Sequence, residues 1–281
     1  MPLPTKIYYG STLIYGPEPL WFTIASSWRT SSTSAALASV SFTPDATAHT
    51  LGAWVELSAS LPVYADALEI GVTSANANTN KALMFDIGTG SAGAEVALVS
   101  DVPVQEGGVS SPGSAMVPVK IAAGTRVAIR FRAARASSSG ASAAMQVMQL
   151  PSNLSSWMPS SVDVLGSTPA SSRGVSMTSN NTWVEVVAST SQAYKAVAMC
   201  VSSLDTAMNN LVAAFDLGVG GAGSEVAYTG ASYSAASSES LTYLTGPRIL
   251  AIDIPAGSRL AVRYVDDANN SYSCSLIGVP A

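Results

Sequence analysis

The chain has 281 residues, 48% of them apolar and only 11% charged, with a net charge of −5 and a pI near 4.8. That length accommodates two domains of ordinary size. The acidic balance argues against a nucleic-acid partner, and no apolar run approaches the roughly 20 residues of a membrane span. A surface so poor in charge suits dense, permanent assembly better than life as a solitary enzyme.

The chain opens on Met1-Pro2-Leu3-Pro4-Thr5-Lys6, which lacks the apolar centre of a signal peptide and implies folding in a cytosol. Residues 1–30 concentrate Tyr8, Tyr9, Tyr15, Trp21, Phe22 and Trp28 in a chain that is only 7% aromatic. Pro2, Pro4, Pro17 and Pro19 interrupt regular structure there. The expectation is an extended arm whose rings dock on a partner, because rigid aromatics give large contact area at low entropic cost. The alternative is that the arm packs on the first domain or supplies its first strand.

Residues 31–151 form the first expected domain. A strand over Ala53–Ser58 puts Trp54 and Glu56 on one face, by the two-residue period. An aromatic beside a carboxylate can stack a sugar ring, but it also suits a core or a subunit interface. A further strand is expected over Ala67–Thr73. Next comes a strand over Leu83–Ile87 running into Gly88-Thr89-Gly90-Ser91-Ala92-Gly93 and then Glu95-Val96-Ala97. These glycines spell G-x-G-x-x-G, but Pro103, Gly107, Gly108 and Pro112 follow closely and leave no room for the crossover helix of a dinucleotide site. A strand, a tight turn with φ > 0 at one or more of the glycines, and a returning strand account for the pattern. In the strand after the next loop, Val127, Ile129 and Phe131 alternate with Arg126, Ala128, Arg130 and Arg132. One face belongs to the core and the other carries arginines, which pair either with a partner's acids or with acids at home.

Residues 152–172, with Pro159, Pro169 and many serines, read as a semi-rigid linker. Residues 173–281 then repeat the first domain. Phe85 to Ala97 returns as Phe215 to Ala227 at an offset of 130, with nine of thirteen positions identical. Trp54-Val55-Glu56 returns as Trp183-Val184-Glu185 at 129, and Ala123 to Arg130 as Ala256 to Arg263 at 133. A period this long means a duplicated domain rather than a solenoid. Asp86, Gly88, Gly90, Gly93 and Glu95 thus answer Asp216, Gly218, Gly220, Gly223 and Glu225, and the two copies should superpose on them. The turn-punctuated strands, with no helical period, predict an all-β protein: two tandem jelly-roll-like β-sandwiches after an extended N-terminal arm.

Catalytic chemistry is hard to assemble from this composition. His49 is the single histidine, and it is not repeated. There is no Gly-x-Ser-x-Gly elbow for a Ser-His-Asp site. One histidine with two distant cysteines, Cys200 and Cys274, does not make an ordinary zinc or iron site, and buried free thiols are expected. Asp86 with Glu95 is the one carboxylate pair to consider for glycoside cleavage. The expectation is no catalytic residue, no metal and no cofactor.

The segments Phe-Asp-Ile-Gly-x-Gly-x-Ala-Gly-x-Glu and Ala-Gly-(Thr/Ser)-Arg-(Val/Leu)-Ala-(Ile/Val)-Arg resemble those of β-sandwich structural proteins of tailed bacteriophages. Such proteins include head decoration proteins, head fibres and tail-fibre components. The resemblance spans about residues 81–132 and 212–264. It implies a virion protein assembled in the host cytoplasm, whose partners are a major capsid or tail protein and further copies of itself. The expected function is capsid decoration or cement. The alternatives are a tail-fibre or receptor-binding component contacting glycans and, from another class, a carbohydrate-active enzyme. The aromatic arm, with Arg130 and Arg263, is the expected partner-binding set.

Overall fold

The computed structural model describes residues 7–9, 12–15, 20–25, 40–43, 45, 47–74, 82–105, 113–133, 141–149, 155, 158–166, 174–203, 211–235, 248–266 and 271–281. Nearly all regular structure among them is β-strand, in antiparallel pairs. A short hairpin, β1 (Ile7–Tyr9) with β2 (Thr12–Tyr15), comes first.

The first sandwich contains β3 (Leu20–Ala25), β4 (Val40–Phe42), β5 (Val55–Ser58), β6 (Ala67–Ser74), β7 (Ala82–Thr89), β8 (Val96–Gln105), β9 (Gly113–Val117), β10 (Val127–Ala133) and β11 (Ala141–Gln149). One sheet runs β5-β10-β7-β8. The other runs β3-β11-β6-β9, with β4 also pairing β11. From β4 onward the chain alternates between the sheets, stays in one for the β7–β8 hairpin, and alternates again. That is jelly-roll connectivity.

The second sandwich repeats it strand for strand. Its members are β12 (Asp163–Leu165), β13 (Val175–Met177), β14 (Val184–Val187), β15 (Tyr194–Ser203), β16 (Leu211–Val219), β17 (Val226–Ala235), β18 (Arg248–Ile254), β19 (Leu260–Asp266) and β20 (Tyr272–Pro280). The sheets are β14-β19-β16-β17 and β12-β20-β15-β18, with β13 on β20. Asp86 and Asp216 occupy the same register, opposite Arg130 and Arg263 respectively. The duplication read from sequence is therefore a duplication of fold.

Two boundaries differ from expectation. Leu20–Ala25 lies within the expected arm but pairs β11 from Met145 to Gln149, so this stretch belongs to the first sandwich. Asp163–Leu165 lies within the expected linker but pairs β20, so the second sandwich begins there. In both cases an unpaired edge of β11 or β20 accepts a short strand whose own sequence has no alternating pattern. Tyr8, Tyr9, Tyr15, Trp21 and Phe22 lie in β1, β2 and β3, where the backbone alone is described, and Trp28 lies outside the described residues.

Alternation builds both cores. Leu83, Phe85 and Ile87 of β7 face Val127, Ile129 and Phe131 of β10 and the inward residues of β6 and β11, all fully or almost fully buried. Phe42 stacks on Phe131 with centroids 3.7 Å apart. In the second core Tyr272 packs edge-on against Phe215 and Tyr264, and its hydroxyl donates to Asp266 at 2.9 Å. The sandwiches are joined by burial as well as by chain. Val162, Ala198, Cys200 and Ile277 belong to the first sandwich's apolar cluster, because β8 packs on the outer face of β12, β15 and β20.

Candidate functional site

The residues shared by the two copies meet on the outer face of the β5-β10-β7-β8 sheet and its counterpart. Arg130 and Asp86 are direct cross-strand partners, with Arg130 Nε donating to Asp86 Oδ2 at 2.7 Å and Nη2 at 2.6 Å from the same oxygen. The guanidinium lies 4.5 Å over the Trp54 ring. Beneath Trp54 lies Gly88, where a Cβ would stand 2.7 Å from Trp54 Cη2. One turn along, Arg126 bridges two carboxylates, donating to Glu56 Oε2 at 2.7 Å and Glu95 Oε1 at 2.9 Å, and reaches the Gly90 carbonyl at 3.1 Å. Glu95 Oε2 accepts from the Gly93 amide at 3.0 Å, which closes the glycine turn.

The second copy reproduces each contact. Arg263 pairs Asp216 at 2.9 Å and lies 4.5 Å over Trp183. A Cβ on Gly218 would stand 2.7 Å from Trp183 Cζ3. Arg259 joins Glu185 at 2.7 Å to Glu225 at 2.8 Å and touches the Gly220 carbonyl. The expected positive φ is found at Gly90 (114°), Gly93 (81°), Gly220 (128°) and Gly223 (77°), whereas Gly88 and Gly218 serve close packing instead.

Electrostatics follow from this pairing. For Glu95, burial acts to raise the carboxyl pKa. Hydrogen bonds from its own amide, from Arg126 and from the Gly93 amide outweigh burial and hold it below its ordinary 4.5. Glu225 is lowered chiefly by its own backbone amide, then by Arg259. Arg126 and Arg259 are raised, first by Glu56 and Glu185 respectively.

Arg130 and Arg263, expected to bind a partner, thus have their charges satisfied within their own sheets. Asp86, Glu95, Asp216 and Glu225 are the acids that engage the arginines. Sequence reasoning placed Trp54 beside Glu56 but gave Glu56 and Glu185 no arginine. The signal was present: Glu56 and Arg126, like Glu185 and Arg259, recur together in the repeat.

One polar cluster is confined to the first copy. Arg132, on the outward-facing row of β10, is only 1% exposed. Its Nε donates to Asp101 Oδ1 at 2.8 Å, and its Nη2 makes a 2.6 Å ion-pair contact with the same oxygen that is not an aligned hydrogen bond. Its Nη1 lies 3.1 Å from His49 Nδ1. Arginine only donates, so Nδ1 accepts and the neutral ring carries its proton on Nε2. Asp101 and His49 both have φ of 63°. Asp101 sits at an irregularity of β8, where its amide donates to Asp86 Oδ1 at 2.9 Å. The second copy has Val265 in place of Arg132, and it is 44% exposed.

A groove of about 460 Å³ lies where β8 meets β12, lined in part by Leu98, Ser100, Asp101, Asp163 and Ser191. Its acids are engaged as well, since Asp163 Oδ2 accepts from Tyr194 Oη at 2.7 Å and from Gln192 Nε2 at 2.6 Å. Burial, followed by the Asp163 contact, pushes the Tyr194 hydroxyl up to about 12. Cys200 and Cys274 are both free and buried, and burial pushes Cys200 up to about 12. Among the described residues no group of three or more His, Cys, Asp or Glu side chains is placed to hold a metal, and no helix is long and apolar enough to cross a membrane.

No known family profile and no curated protein matches the chain. Similar solved structures include PNGF-II, at 8% identity over 86% of this chain and 66% of that one, with a TM-score of 0.36. The STIV MCP is 10% identical over 92% and 96% of the two chains, with a TM-score of 0.33. The CBM22-1–CBM22-2 tandem domain from Paenibacillus barcinonensis Xyn10C is 11% identical over 93% of each, with a TM-score of 0.26. The chain spans just under two thirds of the PNGF-II chain. These likenesses go no further than an all-β sandwich architecture.

Proposed function

We propose that the protein is a non-enzymatic structural component of a bacteriophage particle, foremost a capsid decoration or cement protein bridging neighbouring subunits. One observation carries this reading. Every charged side chain shared by the two copies in the outer-face motif is engaged in holding its own sheet together, through Arg126, Arg130, Arg259 and Arg263. A duplicated catalytic or ligand site would leave at least one such group directed at a ligand. The low charge of the chain and its resemblance to phage sandwich proteins support the same reading.

The two other readings gain less support. Trp54 and Trp183 each have an arginine 4.5 Å over the ring and a glycine packed closely beneath it, so neither offers an open platform for a sugar. Asp86 and Glu95, the pair considered for glycoside cleavage, are each bound to an arginine.

Quantitative mass spectrometry of purified particles tests the proposal. Hundreds of copies per particle are expected for decoration. A handful would move the protein to the tail, and absence from particles would refute a virion role.

A further inference from the structure

We propose that His49 is a pH-sensitive clasp, whose neutral ring holds the β4–β5 connection against β10 and whose protonation lets that connection go. The connection crosses from one sheet of the first sandwich to the other, since β4 pairs β11 and β5 pairs β10. β5 itself covers β10 only from Val127 to Ile129. Beyond that point the connection takes over. The Gly52 amide donates to the Phe131 carbonyl at 2.8 Å, and the His49 amide to the Ala133 carbonyl at 2.7 Å. His49 reaches this position with φ of 63°, a conformation that persists only where its surroundings hold it.

The hold is the contact between His49 Nδ1 and Arg132 Nη1, at 3.1 Å. Arg132 is buried, and among the described residues its partners are Asp101 of β8 and His49. A guanidinium stays charged and only donates, so Nδ1 must accept. A protonated imidazole donates from both nitrogens and accepts at neither. Protonation therefore removes the contact and sets two positive charges side by side, with the one Asp101 carboxylate to serve both. The other charged groups of this region are engaged elsewhere. Asp45, on the same connection, accepts from the Thr47 amide at 2.7 Å, and Asp86 of β7 pairs Arg130. An imidazole ordinarily changes charge near pH of about 6.5, so mild acid reaches the clasp.

The second sandwich holds the matching connection with a side chain that does not titrate. Between β13 and β14, Asn181 has φ of 55° and its amide donates to the Tyr264 carbonyl at 2.7 Å. Its Oδ1 accepts from Arg263 Nη1 at 3.2 Å. A left-handed residue, an amide bound to the adjacent strand and an arginine held by a side-chain acceptor thus recur. An amide oxygen stands where the first sandwich uses an imidazole nitrogen. Mild acid should loosen one connection and spare the other.

The test uses the full-length protein, in which His49 is the single histidine and gives one set of ring signals. Nitrogen-correlated NMR reads the tautomer and protonation of the ring. Amide exchange from about pH 7.5 to about pH 5, corrected for the intrinsic rate, reads opening of the connection. Glu95 and Glu225, held below 4.5, stay ionised over that range. The neutral ring should carry its proton on Nε2. Exchange at His49 and Gly52 should quicken by about tenfold or more as the ring protonates, while Asn181 stays unchanged. In H49N, Oδ1 takes the place of Nδ1 and asparagine tolerates positive φ, so the connection should stay protected throughout. A neutral ring with its proton on Nδ1 overturns the proposal, as does ring titration without faster exchange. Both are read on the wild-type protein and need no variant. An acid response that persists in H49N also overturns it. None of these outcomes bears on whether the protein is found in particles, so this proposal and the virion assignment fail separately.

Discussion

Trp54 lies against Gly88 so closely that no larger residue fits: a Cβ at that position would meet the indole Cη2 at 2.7 Å. Trp183 and Gly218 repeat the relationship. Gly88 is therefore a packing glycine, while Gly93, with φ of 81° and open space where a Cβ would point, is a conformational one. Gly88→Ala must displace the indole from beneath Arg130, an overpacking cost of about 1–3 kcal/mol. Gly93→Ala meets no neighbour and bears a backbone cost of about 1 kcal/mol. Denaturant unfolding of the two variants should rank them in that order, and equal stabilities would contradict the distinction. W54A should rescue most of the loss in a Gly88→Ala background.

The arginine rows yield a second prediction. Asp86–Arg130 and Asp216–Arg263 have the same register and the same tryptophan contact. Double-mutant cycles with Asp→Asn and Arg→Met should therefore give similar coupling in both sandwiches, about 1–3 kcal/mol for partly buried charged hydrogen bonds. A coupling near zero in either copy would mean that its arginine is free for a partner after all.

Acid should weaken both sheets through Glu95 and Glu225. Their folded pKa values lie below the ordinary 4.5, so their ionised forms stabilise the native state above that value. The contribution is lost as pH falls below about 4.5 and through the lower folded values. Urea midpoints measured from pH 6 to pH 2.5 should fall across that window. E95Q/E225Q should lower the midpoint at pH 6 and flatten its fall. An unchanged slope in the variant would count against the assignment.

Cys200 reports on the junction. Its thiol, pushed up to about 12 by burial between the sandwiches, should resist alkylation at neutral pH while they remain packed. I277D, on the face that receives β8, should expose it and accelerate alkylation by an order of magnitude or more without unfolding either sandwich. Rapid alkylation of the wild-type protein would mean that the sandwiches separate freely.

Much of this architecture was legible in the chain. The offset of about 130 residues identified the duplication, and strict alternation at Val127, Ile129 and Phe131 identified a core-facing strand. The alternation could not separate arginines paired at home from arginines left for a partner, because both point away from the core. Pairing depends on register, and register emerges only when Asp86 is seen opposite Arg130. β3 and β12 were hidden for another reason. Short edge strands gain their order from the neighbour they join, and Leu20–Ala25 and Asp163–Leu165 have no alternating pattern of their own. The burial of Arg132 was equally invisible, since it depends on Asp101 and His49, both far off in sequence.

The pairing of edge strand β3 with β11 sets what a truncation should do. Deleting residues 1–19 keeps β3 on β11, whereas deleting 1–30 removes it and bares the β11 edge. The shorter deletion should melt close to wild type, and the longer one should melt lower or aggregate. Identical melting of the two would contradict the assignment of Leu20–Ala25 to the first sandwich.

Adding the purified protein to capsids assembled without it tests the structural reading most directly. Electron cryomicroscopy of the mixture should show paired sandwich density repeated at equivalent lattice positions, saturating at a fixed number of copies per capsid. Capsids left bare at saturating protein, with the protein recovered unbound, would contradict the account.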